Sequence, residues 1–308
     1  YKLKTWRLPQ GGRAARGKAL VNILPIQLGT GIAAVMPVDR DEADWKDLQI
    51  VFATSAGDVR RNALSDFAKG MRNGKIAMKF EGEHESTTLI DVRIASNDDD
   101  VMLVTNSGRA IRFRATDVRV FNSRASTGGR GIKLQGDDTV VSMSVIRHFE
   151  ATSDERAAYL KMRRAMAGLA DDADLPDEEE GDENSQISQE RYAEMSAIEN
   201  LILTISARGS GKLSSSHDYP VRGRGGQGVA AMDKAMRGGR LVASFPVEIN
   251  DQVMLVTDTG QSIRCPVSGI SFRSRSAGGV KVFTTSKDEK VVSVAWVADT
   301  GEEEDQEE

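Results

Sequence analysis

The chain has 308 residues, 39% hydrophobic, 28% charged and only 5% aromatic, which allows a sizeable core built on Val, Ile, Leu, Met and Ala rather than on rings. Its one cysteine, Cys265, excludes an internal disulfide framework and favours a reducing, cytosolic setting, and no apolar run approaches the roughly 18 residues of a membrane span. The formal net charge of −5 conceals an asymmetry: Phe149 to Asn200 holds 15 acidic and 5 basic residues, and Gly301 to Glu308 holds 6 acidic and none basic, so the remainder carries +11. A basic body with acidic appendages points to a polyanionic partner, with nucleic acid foremost.

Tyr1 to Trp6 begins mid-pattern, without a signal-peptide core, and reads as the last strand of a repeat whose earlier part lies upstream. The loop Gln10 to Lys18 follows, then the alternating run ALVNILPI and a strand from Ile32 to Val38. A second copy starts at Gln49, turns at Gly57, passes the loop Lys69 to Lys75 into KIAMKF, and closes with a strand from Thr88 to Ile94. The third, Val101 to Leu134, is the clearest: an apolar strand, an Asn106-Ser107-Gly108 turn, a strand bearing Arg112 and Arg114, and a Gly/Arg loop. A strand from Thr139 to Ile146 completes it. Gly57 and Gly108 are 51 residues apart, as are Gly209 and Gly260; a fixed period of this size signals a repeat architecture.

Phe149 to Asn200 interrupts the period. Ser153 to Ala170 has helical spacing, Asp171 to Glu183 is an acidic linker expected to lack order, and Ser188 to Ile198 suits a second short helix. The plain reading is a tethered excursion from one blade. The repeats resume at Leu201, run through the loop Arg222 to Gly228, and end with Val253 to Gly260, Ser262 to Cys265, the loop Arg273 to Gly279, and Val291 to Val297. Each unit is expected to hold four strands and no helix, and such units pack radially as propeller blades.

Five loops recur in register, so their charges are expected to describe an arc: Arg13, Arg16 and Lys18; Lys69, Arg72 and Lys75; Arg124, Arg130 and Lys133; Arg222 and Arg224; Arg273 and Arg275. The accompanying glycines are Gly17, Gly74, Gly128, Gly129, Gly131, Gly225, Gly226, Gly228, Gly278 and Gly279. Glycine beside arginine lets backbone N–H groups approach phosphate while the guanidinium forks onto it. Any one such loop is more often a plain turn; five in register favour a function. Few aromatics interleave, and no recognition helix is evident, so contact with duplex phosphates is expected with little sequence readout.

Enzymatic signals are weak. Gly223 to Gly228 matches GxGxxG but lacks a strand-to-helix context, and Ser210-Gly211-Lys212 lacks the flanking residues of a phosphate loop. His84, His148 and His217 are far apart, and Cys265 suits a small buried position on a repeat strand. No nucleophile with its base and no metal site is evident.

LPQGGRAARGKALVNILPI, the repeated VMLVT units, STGGRGIKL and the tail GEEEDQEE resemble the C-terminal domain of the A subunit of bacterial DNA gyrase, a type IIA topoisomerase, over Tyr1 to Arg147 and Leu201 to Asp299. The resemblance implies an all-β, six-bladed β-pinwheel spanning 1–147 and 201–299, interrupted by the acidic insertion 148–200 and followed by the tail 300–308. It leaves open that the first blade is incomplete, because the family's signature box is absent. It also implies a non-catalytic domain that wraps duplex DNA on a basic rim and presents a T-segment for ATP-dependent negative supercoiling. Partners would be duplex DNA, the rest of the gyrase A chain, and the gyrase B chain in an A2B2 complex. No membrane partner and no cofactor are expected in this chain, ATP and Mg being bound elsewhere in the holoenzyme. A cytoplasmic, nucleoid-associated setting follows. Alternatives are the C-terminal domain of topoisomerase IV and a propeller used as a protein-interaction platform; the +11 body and the lack of WD dipeptides weigh against the second.

Overall fold

The computed structural model describes residues 1–11, 18–27, 29, 31–39, 42–68, 73–80, 86–122, 124, 126–167, 185–233 and 239–297. Strands β1 (Gln49–Thr54), β2 (Asp58–Ala63) and β3 (Leu89–Ala95) open the repeat series, followed by β4 (Asp99–Thr105), β5 (Arg109–Arg114), β6 (Gly129–Arg130) and β7 (Val140–Arg147). After two helices come β8 (Leu201–Ser206), β9 (Ser210–Ser215), β10 (Val229–Ala230) and β11 (Leu241–Val247), then β12 (Gln252–Thr257), β13 (Ser262–Pro266), β14 (Val280–Lys281) and β15 (Val291–Val297). The period is in the backbone itself: Gly57, Gly108, Gly209 and Gly260 have φ of +85°, +87°, +76° and +85°. At Gly108 the tight link between β4 and β5 needs this left-handed conformation, which a Cβ would strain.

The strands form four sheets among the described residues, ordered β3-β1-β2-β6, β10-β5-β4-β7, β11-β8-β9-β14 and β13-β12-β15. This is an all-β propeller, with four blades among the described residues; the resemblance implies six. The pairing corrects the expectation that each repeat fills its own blade. The short strands β6, β10 and β14 leave their own repeats and pair antiparallel with β2, β5 and β9 of the repeat before. Gly128 is where the chain turns back: φ is +102°, and a Cβ would lie 2.2 Å from the Val59 carbonyl oxygen. Gly128→Ala should therefore detach β6 and cost about 1–3 kcal/mol, read as a lowered denaturant midpoint.

Apolar layers lie between blades. In β4, Val101 and Leu103 face the first blade, packing with Val51, Ala53 and Val59, while Met102 and Val104 face the third, packing with Ile202 and Tyr219. A strand buried on both faces reads as an unbroken apolar run, hence VMLV. The third and fourth blades share Leu203, Ile205, Leu213, Val253 and Leu255. Beyond the fourth blade Met254, Val292 and Trp296 remain exposed.

Before β1 no strand forms among the described residues. Thr5–Arg7, Leu20–Asn22 and Glu42–Asp47 are 3-10 turns, and 31–39 and 74–80 lack regular structure. The strands expected at Tyr1 to Trp6, in ALVNILPI, at Ile32 to Val38 and in KIAMKF are thus absent. A segment becomes a strand only by pairing with another, and among the described residues none of these is paired. Their apolar side chains stay out, with Val35 87% and Trp6 75% exposed. Met36, Trp45 and Met78 cover the outer face of β1 at Ile50 and Phe52.

The interruption is a helical pair, α1 (Ser153–Met166) and α2 (Gln189–Ile198). Thr152 caps α1 in a reciprocal box: its Oγ1 accepts from the Glu155 N–H at 3.1 Å, and the Glu155 carboxylate accepts from the Thr152 N–H at 2.9 Å. Ser188 Oγ accepts from the Arg191 N–H at the start of α2. The expected acidic linker Asp171 to Glu183 and the tail from Gly301 lie outside the described residues.

Candidate nucleic-acid interface

The returning loops lie against one another. Gly225 N–H donates to the Gly131 carbonyl at 2.6 Å and Lys133 N–H to the Gly226 carbonyl at 2.8 Å, joining the loops of the second and third blades. The Arg224 guanidinium extends this clasp, with Nη1 on the Arg130 carbonyl at 2.8 Å and Nε on the Asp117 carbonyl at 3.0 Å. One repeat later Arg275 does the same: Nη1 reaches the Ala230 carbonyl at 2.5 Å and Nε the Asp218 carbonyl at 2.8 Å, while its own N–H donates to Asp218 Oδ2 at 2.6 Å. Arg130 and Ala230 occupy the same register, each paired with the residue after a turn glycine.

A second set of cations holds the loops from beneath. Lys212 is fully buried, and its Nζ donates to the carbonyls of Ser274, Arg275 and Ala277 at 2.5–2.7 Å. Arg60, at the same place after its turn glycine, donates to the carbonyls of Arg124, Ser126 and Ala77. Burial pushes its guanidinium down to about 10, still protonated at neutral pH. Arg112, also buried, has Nε 2.9 Å from Asp100 Oδ2 and Nη1 2.7 Å from the Ser216 carbonyl, linking the second and third blades.

The expected site residues therefore divide. Lys18, Arg130, Lys133, Arg222 and Arg224 are exposed; Lys75, Arg124 and Arg273 are half-buried. Arg275 is only 2% exposed, so its expected place on a phosphate-facing arc is corrected: its donors are spent on carbonyls of the preceding repeat, where water and phosphate do not reach. Gly128, Gly129, Gly225, Gly226, Gly228, Gly278 and Gly279 lie on the returning loops or short strands and Gly131 directly after one, while Gly74 lies against the Tyr1 ring. Arg13, Arg16, Gly17, Lys69 and Arg72 lie outside the described residues. The sequence reading missed Lys281, exposed at the Arg130 position of the last repeat, and Arg119, exposed and stacked over the Phe121 ring at 4.3 Å. Lys281 follows Gly278-Gly279 by two residues, as Arg130 directly follows Gly128-Gly129, and that Gly-Gly pair is the sequence signal that could have found it. Arg119 leaves no such signal.

Gly223 to Gly228 runs into the two-residue strand β10, not a helix, so the GxGxxG match has no dinucleotide context. Among the described residues no cluster of His, Cys, Asp and Glu could hold a metal ion, and no helix is long and apolar enough to cross a membrane.

A histidine is buried beside this edge. His217, in the 3-10 turn Ser216–Asp218, lies edge-on to the Phe149 and Tyr159 rings, and its Nε2 donates to the Met195 carbonyl at 2.8 Å. Burial pushes its pKa below the ordinary 6.5, with Arg112 and Arg156 adding to that and the Met195 carbonyl and Glu199 opposing. A base held neutral in the fold binds fewer protons than when unfolded, so this contribution is full above about pH 6.5 and is lost as pH falls below it. Amide exchange of α2, corrected for its intrinsic pH dependence, is expected to quicken below that pH. His217→Phe should remove the difference.

Blades that lend a short strand backward, bound loop to loop, define a strand-swapped β-propeller with exposed cations on its returning loops. The chain belongs to the DNA gyrase C-terminal domain family, a β-propeller family whose model matches residues 49–90, 99–147, 200–248 and 251–295. It is similar to the DNA gyrase A chain of Granulibacter bethesdensis, 46% identical over 97% of this chain and 33% of that protein. It is also similar to that of Haemophilus influenzae, 35% identical over 100% of the chain and 32% of that protein. The chain thus spans about a third of the length of the curated relatives it matches. Among solved structures, its fold is similar to the C-terminal domain of DNA topoisomerase IV (TM-score 0.66, 18% identity, 91% of this chain and 70% of that one). It is likewise similar to the DNA gyrase A C-terminal domain (TM-score 0.58, 20% identity, 82% of this chain and 67% of that one).

Proposed function

We propose that this chain binds duplex DNA through its basic rim, without reading sequence, and bends it around the propeller. The observation that carries the reading is the recurrence of exposed cations on the returning loops, Arg130, Lys133, Arg222 and Lys281. These loops are fixed to one another before any ligand arrives, so phosphate contacts need little further ordering of the backbone. In this reading 1–147 and 201–299 form one pinwheel, with four blades among the described residues and six as its full count only if the segments before β1 pair as strands in the assembled protein; 148–200 is an insertion and 300–308 an acidic tail. The whole is the wrapping domain of a gyrase A2B2 complex in the bacterial cytoplasm, associated with the nucleoid. It would present a T-segment for ATP-dependent negative supercoiling while itself catalysing nothing and holding neither ATP nor Mg.

Turning a duplex through half a circle over about four helical turns costs on the order of 10 kcal/mol. About ten charge-assisted contacts of about 1 kcal/mol or more each could offset that, and one blade could not. If 6 to 10 phosphates are neutralised, affinity should fall by about 10³ to 10⁵ between 50 and 200 mM salt. A gel-shift titration with a nearly flat salt dependence would sink the reading.

A further inference from the structure

The α1–α2 pair has no place in the repeat pattern, yet it is docked at three points. At the exit of the second blade, Arg191 Nη2 donates to the Glu150 carbonyl at 2.7 Å, and its guanidinium lies 4.6 Å from the Phe149 ring centre. At the turn of the third blade, His217 fits among Phe149, Tyr159 and the Met195 carbonyl, and Asn200 and Ser216 exchange hydrogen bonds of 2.9 and 3.0 Å. At the entry of the last returning loop, Arg163 stands 4.7 Å over the ring of Phe272 while its Nε is held by Glu199 at 3.2 Å. Phe272 bridges to Leu213 of β9, and the next residues lead to Arg275, which clasps the third loop.

The pair has its own small core. Tyr159 stacks on Tyr192 with ring centres 4.9 Å apart, and Tyr159 and Met195 are fully buried. Arg191 bridges Glu155 on α1 and Glu194 on α2 at 2.8 and 2.9 Å. A flexible excursion would need none of this. Three attachments on successive repeats, joined through one packed helical pair, would oppose rotation of those repeats about one another.

We infer that the α1–α2 pair is an interblade strut that fixes the angle between successive blades, and that Arg163 is a positioning residue acting through Phe272 on the last returning loop. The inference rests on the wrapping reading: the strut would set how far a bound duplex is turned without touching DNA.

The test uses the full 308-residue chain, as wild type, Arg163→Met and Tyr159→Ala. A nicked plasmid is religated with each protein bound at saturation, and the linking difference per bound chain is measured. Affinity for a duplex of about 20 base pairs, too short to bend appreciably, is measured alongside. Hydrogen exchange of 189–198 reports docking of the pair. The expected result is faster exchange in α2, short-duplex affinity unchanged within about twofold, and a smaller linking difference per chain. An unchanged linking difference with α2 undocked would overturn the strut, and so would unchanged exchange in both variants, since the named contacts would then not hold the pair. If the wild type itself binds at saturation with no linking difference, wrapping fails first and takes the strut with it.

Discussion

Arg112→Met is expected to destabilise the chain by about 3–5 kcal/mol, because it removes one partner of a buried charge pair and leaves the other in place. Asp100 is fully buried and Arg112 is 4% exposed, with Arg112 Nη2 2.8 Å from Asp100 Oδ2. The remaining partner of Asp100 would be His148, whose Nδ1 lies 2.9 Å from Oδ1. Loss of the guanidinium also frees the Ser216 and Arg147 carbonyls, so both the second blade and its link to the third are weakened. Urea unfolding measures this, with Lys133→Met as the comparison: that side chain is exposed, and its change should stay within about 0.5 kcal/mol. An Arg112→Met midpoint equal to that of Lys133→Met would show that the pair does not support the fold.

Reversing charge at Arg130, Arg222 and Lys281 together should lower duplex affinity by on the order of a hundredfold at moderate salt, taking each contact at about 1 kcal/mol. The loss should be the same for unrelated sequences, and the slope of log K against log salt should flatten by about 1 for each phosphate no longer engaged. Stability should hardly change, since these three side chains are exposed. Arg224 and Arg275 do not belong in that series. Their guanidinium groups clasp one loop to the next, so their substitution would mix loss of binding with loss of the surface itself. Sequence-dependent losses would instead point to base readout.

The turn glycines and the VMLVT runs were legible in the sequence because each carries a local physical demand, a left-handed turn in one case and burial on both faces in the other. The helical pair was legible for the same reason, from apolar spacing after Thr152 and Ser188. The strand exchange was not. β6, β10 and β14 are two residues long, too short for any periodicity, and their partners lie far back in sequence, as in Arg130 with Asp58, Ala230 with Arg109 and Lys281 with Ser210. Arg275 and Arg222 look alike as residues; what separates them is whether Asp218 and Ala230 lie within reach, a fact of the folded chain alone. In sequence Lys212 suggests only an incomplete phosphate loop, because its three carbonyl partners belong to the following repeat.

Wrapping requires the rim to bend DNA as well as bind it. A duplex of about four helical turns, labelled at both ends, measures this by energy transfer under saturating protein. Wrapping requires transfer to rise on binding, to fall back as salt is added, and to be lost with the Arg130, Arg222 and Lys281 reversals. Full occupancy with the ends as far apart as in free DNA would contradict it.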